Sequence, residues 1–142
     1  MKETALTILL FYAGLVLFPS LLNAQPASTT NTMTVHEVHN VLNDPMFSGV
    51  LIDVRTEEEY AEGHIKDSLN IPVGTFHEHI EKLRALERNG LVIYCRTGRR
   101  AAKAIDLLLE AGVKNITYME GDMKKWKEEQ LPIVVQNEAK LH

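Results

Sequence analysis

Two short apolar runs constrain this chain more than anything else in it: VLIDV at Val50–Val54 and LVIY at Leu91–Tyr94. Both are too short for helices and rich in β-branched residues, so each reads as a strand buried on both faces, the kind that parallel sheets contain. Helix starts punctuate the sequence around them. Thr34-Val35-His36-Glu37, Thr56-Glu57-Glu58-Glu59 and Thr75-Phe76-His77-Glu78 each place a threonine N-cap three residues before a glutamate, the capping-box pattern. Val35, Val38 and Leu42 recur on one face of the first helix, which Asn43-Asp44-Pro45 ends. The second helix stops at Gly63 and the third runs through Leu86. From about Arg99 the pattern is helical again, with Ala101, Ile105, Leu108 and Leu109 on one face and Gly112 as a C-terminal stop. Ser68–Ile71 and Asn115–Met119 read as further strands, and Asp122–Glu129 as a short helix around the only tryptophan, Trp126. Strands separated by helices predict an α/β domain of three layers, a central parallel sheet of about five short strands flanked by helices on both faces.

The first 24 residues, MKETALTILLFYAGLVLFPSLLNA, stand apart from this pattern. A lysine near the start, an apolar stretch from Ala5 to Phe18, Pro19 and short residues up to Ala24 read as a secretory signal peptide cleaved after Ala24. The rival reading is an uncleaved membrane anchor over residues 5–22, at the short end of what spans a bilayer. Either way the folded part is expected outside the cytoplasm, periplasmic or secreted, with the membrane as a partner only if the segment stays attached. Residues 25–33 (QPASTTNTM) read as a flexible leader, 34–135 as one domain and 136–142 as a tail. The formal net charge of −4 supplies no broad basic face, which argues against nucleic acid as a partner.

Cys95 is the only cysteine, and CRTGRR places Arg96, Arg99 and Arg100 directly after it. It stands at the C-terminal end of a predicted buried strand, in a loop leading to a helix N-terminus, the position where ligands of open α/β sheets bind. Loop amides of residues 96–100, the positive helix end and the arginines all favour thiolate over thiol, which marks Cys95 as a nucleophile. Free cysteines are commonly plain core residues, but this loop carries too much charge for a core, and Gly98 lets it turn tightly around the sulfur. A single cysteine excludes an intrachain disulfide and a thiolate zinc cluster.

These residues resemble a known family. Asp53-Val54-Arg55, Glu59-Tyr60, Gly63-His64-Ile65, Ser68-Leu69-Asn70-Ile71-Pro72, Tyr94-Cys95-Arg96-Thr97-Gly98-Arg99-Arg100, and Trp126 with Leu131-Pro132-Ile133 are together similar to a single-domain rhodanese, a sulfurtransferase, from about Thr34 to Val135. The resemblance implies two displacement steps: Cys95 takes the outer sulfur of thiosulfate or a related donor as a persulfide, and cyanide or a thiol removes it. It also implies that Arg96, Thr97, Gly98, Arg99 and Arg100 bind substrate, the amides cradling the persulfide and the arginines receiving the sulfonate. Asp53 is expected to pair with a loop arginine and Arg55 to hydrogen-bond loop carbonyls, the alternative being an ordinary exposed ion pair at the strand end, worth about 0–1 kcal/mol. No cofactor and no metal are implied.

Alternatives remain at the same cysteine. A persulfide relay serving a protein partner shares the chemistry but not the small-molecule turnover. Phosphatase or arsenate-reductase chemistry wants five residues between cysteine and arginine, whereas Arg100 follows Cys95 with four between. His36 with His39, and His77 with His79, lack further ligands for a metal. His64 reads as structural, Trp126 as a core residue, and the lysines from Lys124 to Lys127 as a solvated face. The chain departs from the family pattern at Ala101, where a serine is frequent, at Glu120-Gly121, where two glycines are, and at Gln130, where a glycine is. The missing serine predicts modest turnover with thiosulfate.

Overall fold

The computed structural model describes residues 30–136. The segment 1–24 expected to be a signal peptide, leader residues 25–29 and tail residues 137–142 lie outside the described residues. In chain order the elements are β1 (Asn31–Thr34), α1 (Val35–Leu42), β2 (Val50–Asp53), α2 (Glu57–Ala61), β3 (Leu69–Asn70), α3 (Ile80–Leu86), β4 (Leu91–Tyr94), α4 (Arg99–Glu110), β5 (Ile116–Glu120) and α5 (Asp122–Glu128). Short 3₁₀ turns, Phe76–His79 and Glu87–Asn89, flank α3.

The strands form one sheet in the order β1-β5-β4-β2-β3 with every pairing parallel, the three-layer α/β architecture the sequence predicts. Alternation along the central strands divides the core. Ile52, Leu91, Ile93 and Cys95 point to one face and pack with Leu83 of α3 and Ala101, Ala104, Ile105 and Leu108 of α4. Leu51, Val92 and Tyr94 point to the other, against Val35 and Val38 of α1 and Met123 and Trp126 of α5. All four residues of β4 are buried, which is why this strand carries no polar position. Trp126 is buried with its Nε1 donating to Pro132 O at 3.0 Å, so the indole locks α5 to the segment that follows it. Among the described residues no helix is long and apolar enough to cross a membrane.

Local signals shape the elements as the physics requires, with three differences. The boxes at Thr34 and Thr56 form completely, each threonine side chain accepting from the N3 amide while the N3 glutamate accepts from the cap amide. The box expected at Thr75 does not form. Thr75 has φ −109° and ψ 7°, outside the extended region an N-cap needs, and the turn that follows is 3₁₀. The leader boundary also moves: residues 31–34 are strand, because the β5 edge offers β1 a parallel partner from Asn31↔Thr117 to Thr34↔Glu120. At the other end His64 and Val134 exchange backbone hydrogen bonds at 2.9 Å and Gln136 N–H donates to Ala61 O at 3.1 Å, so the tail expected from 136 begins as ordered chain beside α2.

Left-handed backbone explains the unusual residues near α5. Gly121 (φ 93°) and Asp122 (φ 53°) are the consecutive left-handed pair, while Glu120 is ordinary strand. The pair of positions that favours glycine is therefore 121–122 and not 120–121, and Asp122 is the departure. Gln130, exposed at φ 54°, is a second residue in glycine conformation. Left-handed backbone costs a side-chain-bearing residue about 1–2 kcal/mol, offset in part by the extra chain entropy glycine loses on folding. Gln130→Gly is expected to stabilise the domain by about 0.5–1 kcal/mol, read as a higher midpoint in urea unfolding at an unchanged slope.

Candidate functional site

The site is built where the sheet's central strands end. In register, Ile52 of β2, Ile93 of β4 and Tyr118 of β5 stand side by side, so the loops that follow these strands emerge together. Cys95 follows β4 directly. It is 1% exposed and part of the α3–α4 core cluster, yet it also lines a depression of about 720 Å³ with Val73, Arg96, Arg99, Arg100 and Lys103. Gly98 N–H donates to Cys95 Sγ at 3.1 Å; of the amides expected around the sulfur, this is the one in hydrogen-bond contact among the described residues. Gly98 has φ 94°, and a Cβ there would lie 2.7 Å from the Tyr118 hydroxyl, so backbone and space both require glycine.

The loop is held from behind by α5. Asp122 Oδ1 accepts the Cys95 amide at 2.7 Å, Met123 N–H donates to Cys95 O at 3.0 Å, and Lys124 N–H donates to Arg96 O at 3.1 Å. The second carboxylate oxygen of Asp122 accepts the Tyr118 hydroxyl at 2.5 Å. Asp122 is 1% exposed; burial raises its pKa above the ordinary aspartate value, against the lowering by its hydrogen bonds from Tyr118 and Cys95. Neither residue stands out in the sequence. An aspartate in the first turn of a helix looks like a routine dipole partner, and only its left-handed backbone betrays the special position.

The arginines divide into free and engaged. Arg96 and Arg99 are exposed and in no ion pair among the described residues, as a receiver for an anion would be. Arg100, expected in the same role, is held by Glu59 in a two-pronged pair, Nη1 to Oε2 and Nη2 to Oε1, the latter at 2.8 Å. The hydrogen bond from Arg100 lowers the Glu59 pKa to about 2, although burial opposes it. Glu59 Oε2 also accepts the Thr56 amide, so one carboxylate caps α2 and tethers the cysteine loop. The capping pattern alone could not reveal that second partner. Thr97 is exposed at the rim.

Asp53 and Arg55 differ from their expected partners. Asp53 pairs with Arg55 itself, whose Nε and Nη2 donate at 2.9 and 2.6 Å, and the pair is buried. Arg55 reaches Gly63 O at 2.9 Å and no carbonyl of the cysteine loop. The reason is reach: both side chains leave the same strand end two residues apart, and Asp53 also accepts the Arg55 amide at 3.0 Å. Asn70 ties this corner to β3 by donating to Asp53 O and Arg55 O, each at 3.0 Å.

The histidines find other company. His64 stacks on Tyr60 with ring centroids 3.6 Å apart and its Nδ1 lies 2.8 Å from Tyr60 O. His39 meets Trp126 edge-on at 5.8 Å, and His36 faces Glu129 at 3.3 Å. His77 lies 3.9 Å from Glu78.

Comparison with known proteins agrees with this geometry. A family model described as a rhodanese-like domain matches residues 34–129. The chain is 32% identical over 116 residues to the tRNA uridine(34) hydroxylase of Hamiltonella defensa, covering 76% of this chain and 32% of that protein. The hydroxylase of the same name from Yersinia pestis is 29% identical over the same share of each. The chain thus spans about a third of the length of the curated relatives it matches. A rhodanese-related protein from Thermoplasma volcanium superimposes with a TM-score of 0.61 at 29% identity, covering 74% of this chain and 98% of that one. The thiosulfate sulfurtransferase of Pseudomonas aeruginosa, at 20% identity, TM-score 0.67 and 76% of this chain against 21% of its own, shares the fold.

The two possible meanings of Asp122 give opposite signs to one substitution. Asp122→Gly relieves a left-handed residue, which by itself stabilises; it also leaves Cys95 N–H and the Tyr118 hydroxyl without their acceptor, at about 1–3 kcal/mol. Net destabilisation in urea unfolding is expected, together with faster hydrogen exchange at the Cys95 amide.

Proposed function

The chain belongs to the rhodanese-like family, and on that footing we propose that it is a sulfurtransferase that moves sulfane sulfur from thiosulfate, or a related persulfide donor, through a persulfide on Cys95. The observation that carries this reading is the coincidence at one strand end of Cys95 Sγ, the Gly98 N–H at 3.1 Å and two exposed arginines in no ion pair among the described residues.

In the first step the Cys95 thiolate attacks the outer sulfur of thiosulfate. A bond forms between Sγ and that sulfur, the bond to the sulfonate sulfur breaks, and sulfite leaves with the electron pair. Arg96 and Arg99 offset the repulsion between a dianion and a thiolate at the mouth of a protein whose net charge is −4. The Gly98 amide, fixed by backbone and by the Asp122–Tyr118 support beneath it, stabilises negative charge on sulfur before and after transfer. In the second step cyanide or a thiolate bonds to the outer sulfur, the S–S bond breaks, and Cys95 regains the electron pair.

Ala101 is fully buried among the side chains around Cys95, so the hydroxyl a serine would bring near the sulfur is missing, and turnover with thiosulfate is expected to be modest. With residues 1–24 read as an export signal, the reaction would run outside the cytoplasm. The hydroxylase activity named for the curated relatives belongs to proteins of which this chain matches only 32% of the length, and it is not part of this proposal.

Intact mass after incubation with thiosulfate tests the reading. A gain of one sulfur atom, absent in Cys95→Ala and reversed by cyanide, is the expected result. A free, reactive thiol that gains no sulfur would remove thiosulfate as donor and favour a persulfide relay fed by a protein partner.

A further inference from the structure

A second cleft, of about 560 Å³, opens beside the cysteine depression between α2 and α5. Arg96, Thr97 and Glu59 line both, so the two hollows share a wall made of the cysteine loop and Glu59 of α2. The far side of the cleft carries Lys124 and Lys127, with the apolar Met123 at its base and Glu62 on the α2 side.

Its charge is not what the lining suggests at first count. Arg55 is neutralised by Asp53 and Glu59 by Arg100. Lys124 has only an exposed contact at 3.9 Å with Glu128, of a kind that contributes little, and Lys127 has no ion pair among the described residues. What remains is three cations, Arg96, Lys124 and Lys127, against Glu62, in a protein that is acidic overall. A local positive excess beside a nucleophile concentrates anions there. The volume falls within the roughly 300–1,000 Å³ typical of small-molecule sites.

Thiosulfate needs only the cysteine mouth, so the adjoining cleft is free for the molecule that collects the sulfur. We propose that it is the acceptor subsite and that it selects a small thiol bearing carboxylates. Lys124 and Lys127 hold the carboxylates while Arg96 and Thr97 pass the thiolate end across the shared wall to Cys95. The thiolate bonds to the outer sulfur of the persulfide, the S–S bond breaks with its electron pair going to Cys95, and the acceptor leaves as its own persulfide. This inference rests on the sulfurtransferase reading and adds the acceptor's chemical class.

The test uses protein first loaded with thiosulfate, the persulfide verified by mass, and then mixed with mercaptosuccinate, a dicarboxylate thiol, or with neutral 2-mercaptoethanol. The ratio of the two second-order rate constants for sulfur removal is the readout, because it cancels general changes in reactivity. The Lys124→Glu/Lys127→Glu variant is expected to lower that ratio at least tenfold, and Lys127→Gln to lower it by less. Lys82→Glu, an exposed reversal on α3, makes the same kind of charge change away from the cleft and is expected to leave the ratio in place. An unchanged ratio in the double variant, or an equal fall in Lys82→Glu, would overturn the subsite. Failure of the parent protein to form a persulfide from thiosulfate would overturn the thiosulfate reading and the subsite with it.

Discussion

The loop from Cys95 to Gly98 has no regular structure of its own, and what fixes it is the first turn of α5. Three successive α5 residues grip it: the Asp122 carboxylate takes the Cys95 amide, and the amides of Met123 and Lys124 take the carbonyls of Cys95 and Arg96. This grip follows from the sheet. β4 and β5 are parallel neighbours in register, so their C-terminal ends lie side by side, and the left-handed pair Gly121–Asp122 turns α5 directly behind the β4–α4 loop. With the backbone pinned, the Gly98 amide stays on the sulfur and Arg96 and Arg99 stay outside. Electrostatic preorganisation of this kind works because the dipoles are in place before charge develops.

Neutralisation shapes the site as much as charge does. Arg55 and Arg100 are each bound by a carboxylate, Asp53 and Glu59, and both pairs serve structure: one closes the β2 corner onto Gly63, the other ties the cysteine loop to α2. Breaking a buried pair such as Asp53–Arg55 by removing one partner typically costs about 3–5 kcal/mol. Subtracting these pairs leaves the exposed cations Arg96, Arg99, Lys103, Lys124 and Lys127 around two adjoining hollows. The positive field at Cys95 is therefore local and directional in a chain of net charge −4.

Much of this was legible in the residues. Alternating strand and helix signals, two of three capping boxes and the apolar runs fix the layer architecture, because local propensity and burial agree there. The closeness of Cys95, Gly98 and the arginines in space was legible because they stand within six positions of one loop. What escaped the sequence depends on contacts between distant segments. Nothing local tells that Glu59 would serve Arg100 as well as its own helix cap, that Asp122 would reach back 27 positions to Cys95, or that an Asp53–Arg55 pair at the strand end would be buried. The strand at Asn31–Thr34 was hidden for a related reason: polar residues at a sheet edge carry a loop-like composition, and only the partner edge of β5 makes them a strand.

The most direct test of the account is the release of sulfite when the protein and thiosulfate are mixed with no acceptor present. Two displacement steps through a Cys95 persulfide predict a rapid burst approaching one sulfite per chain, after which release stops until cyanide or a thiol is added. Sulfite appearing only once the acceptor is present would mean that sulfur passes directly between two bound substrates, and would contradict a persulfide held by the cysteine loop.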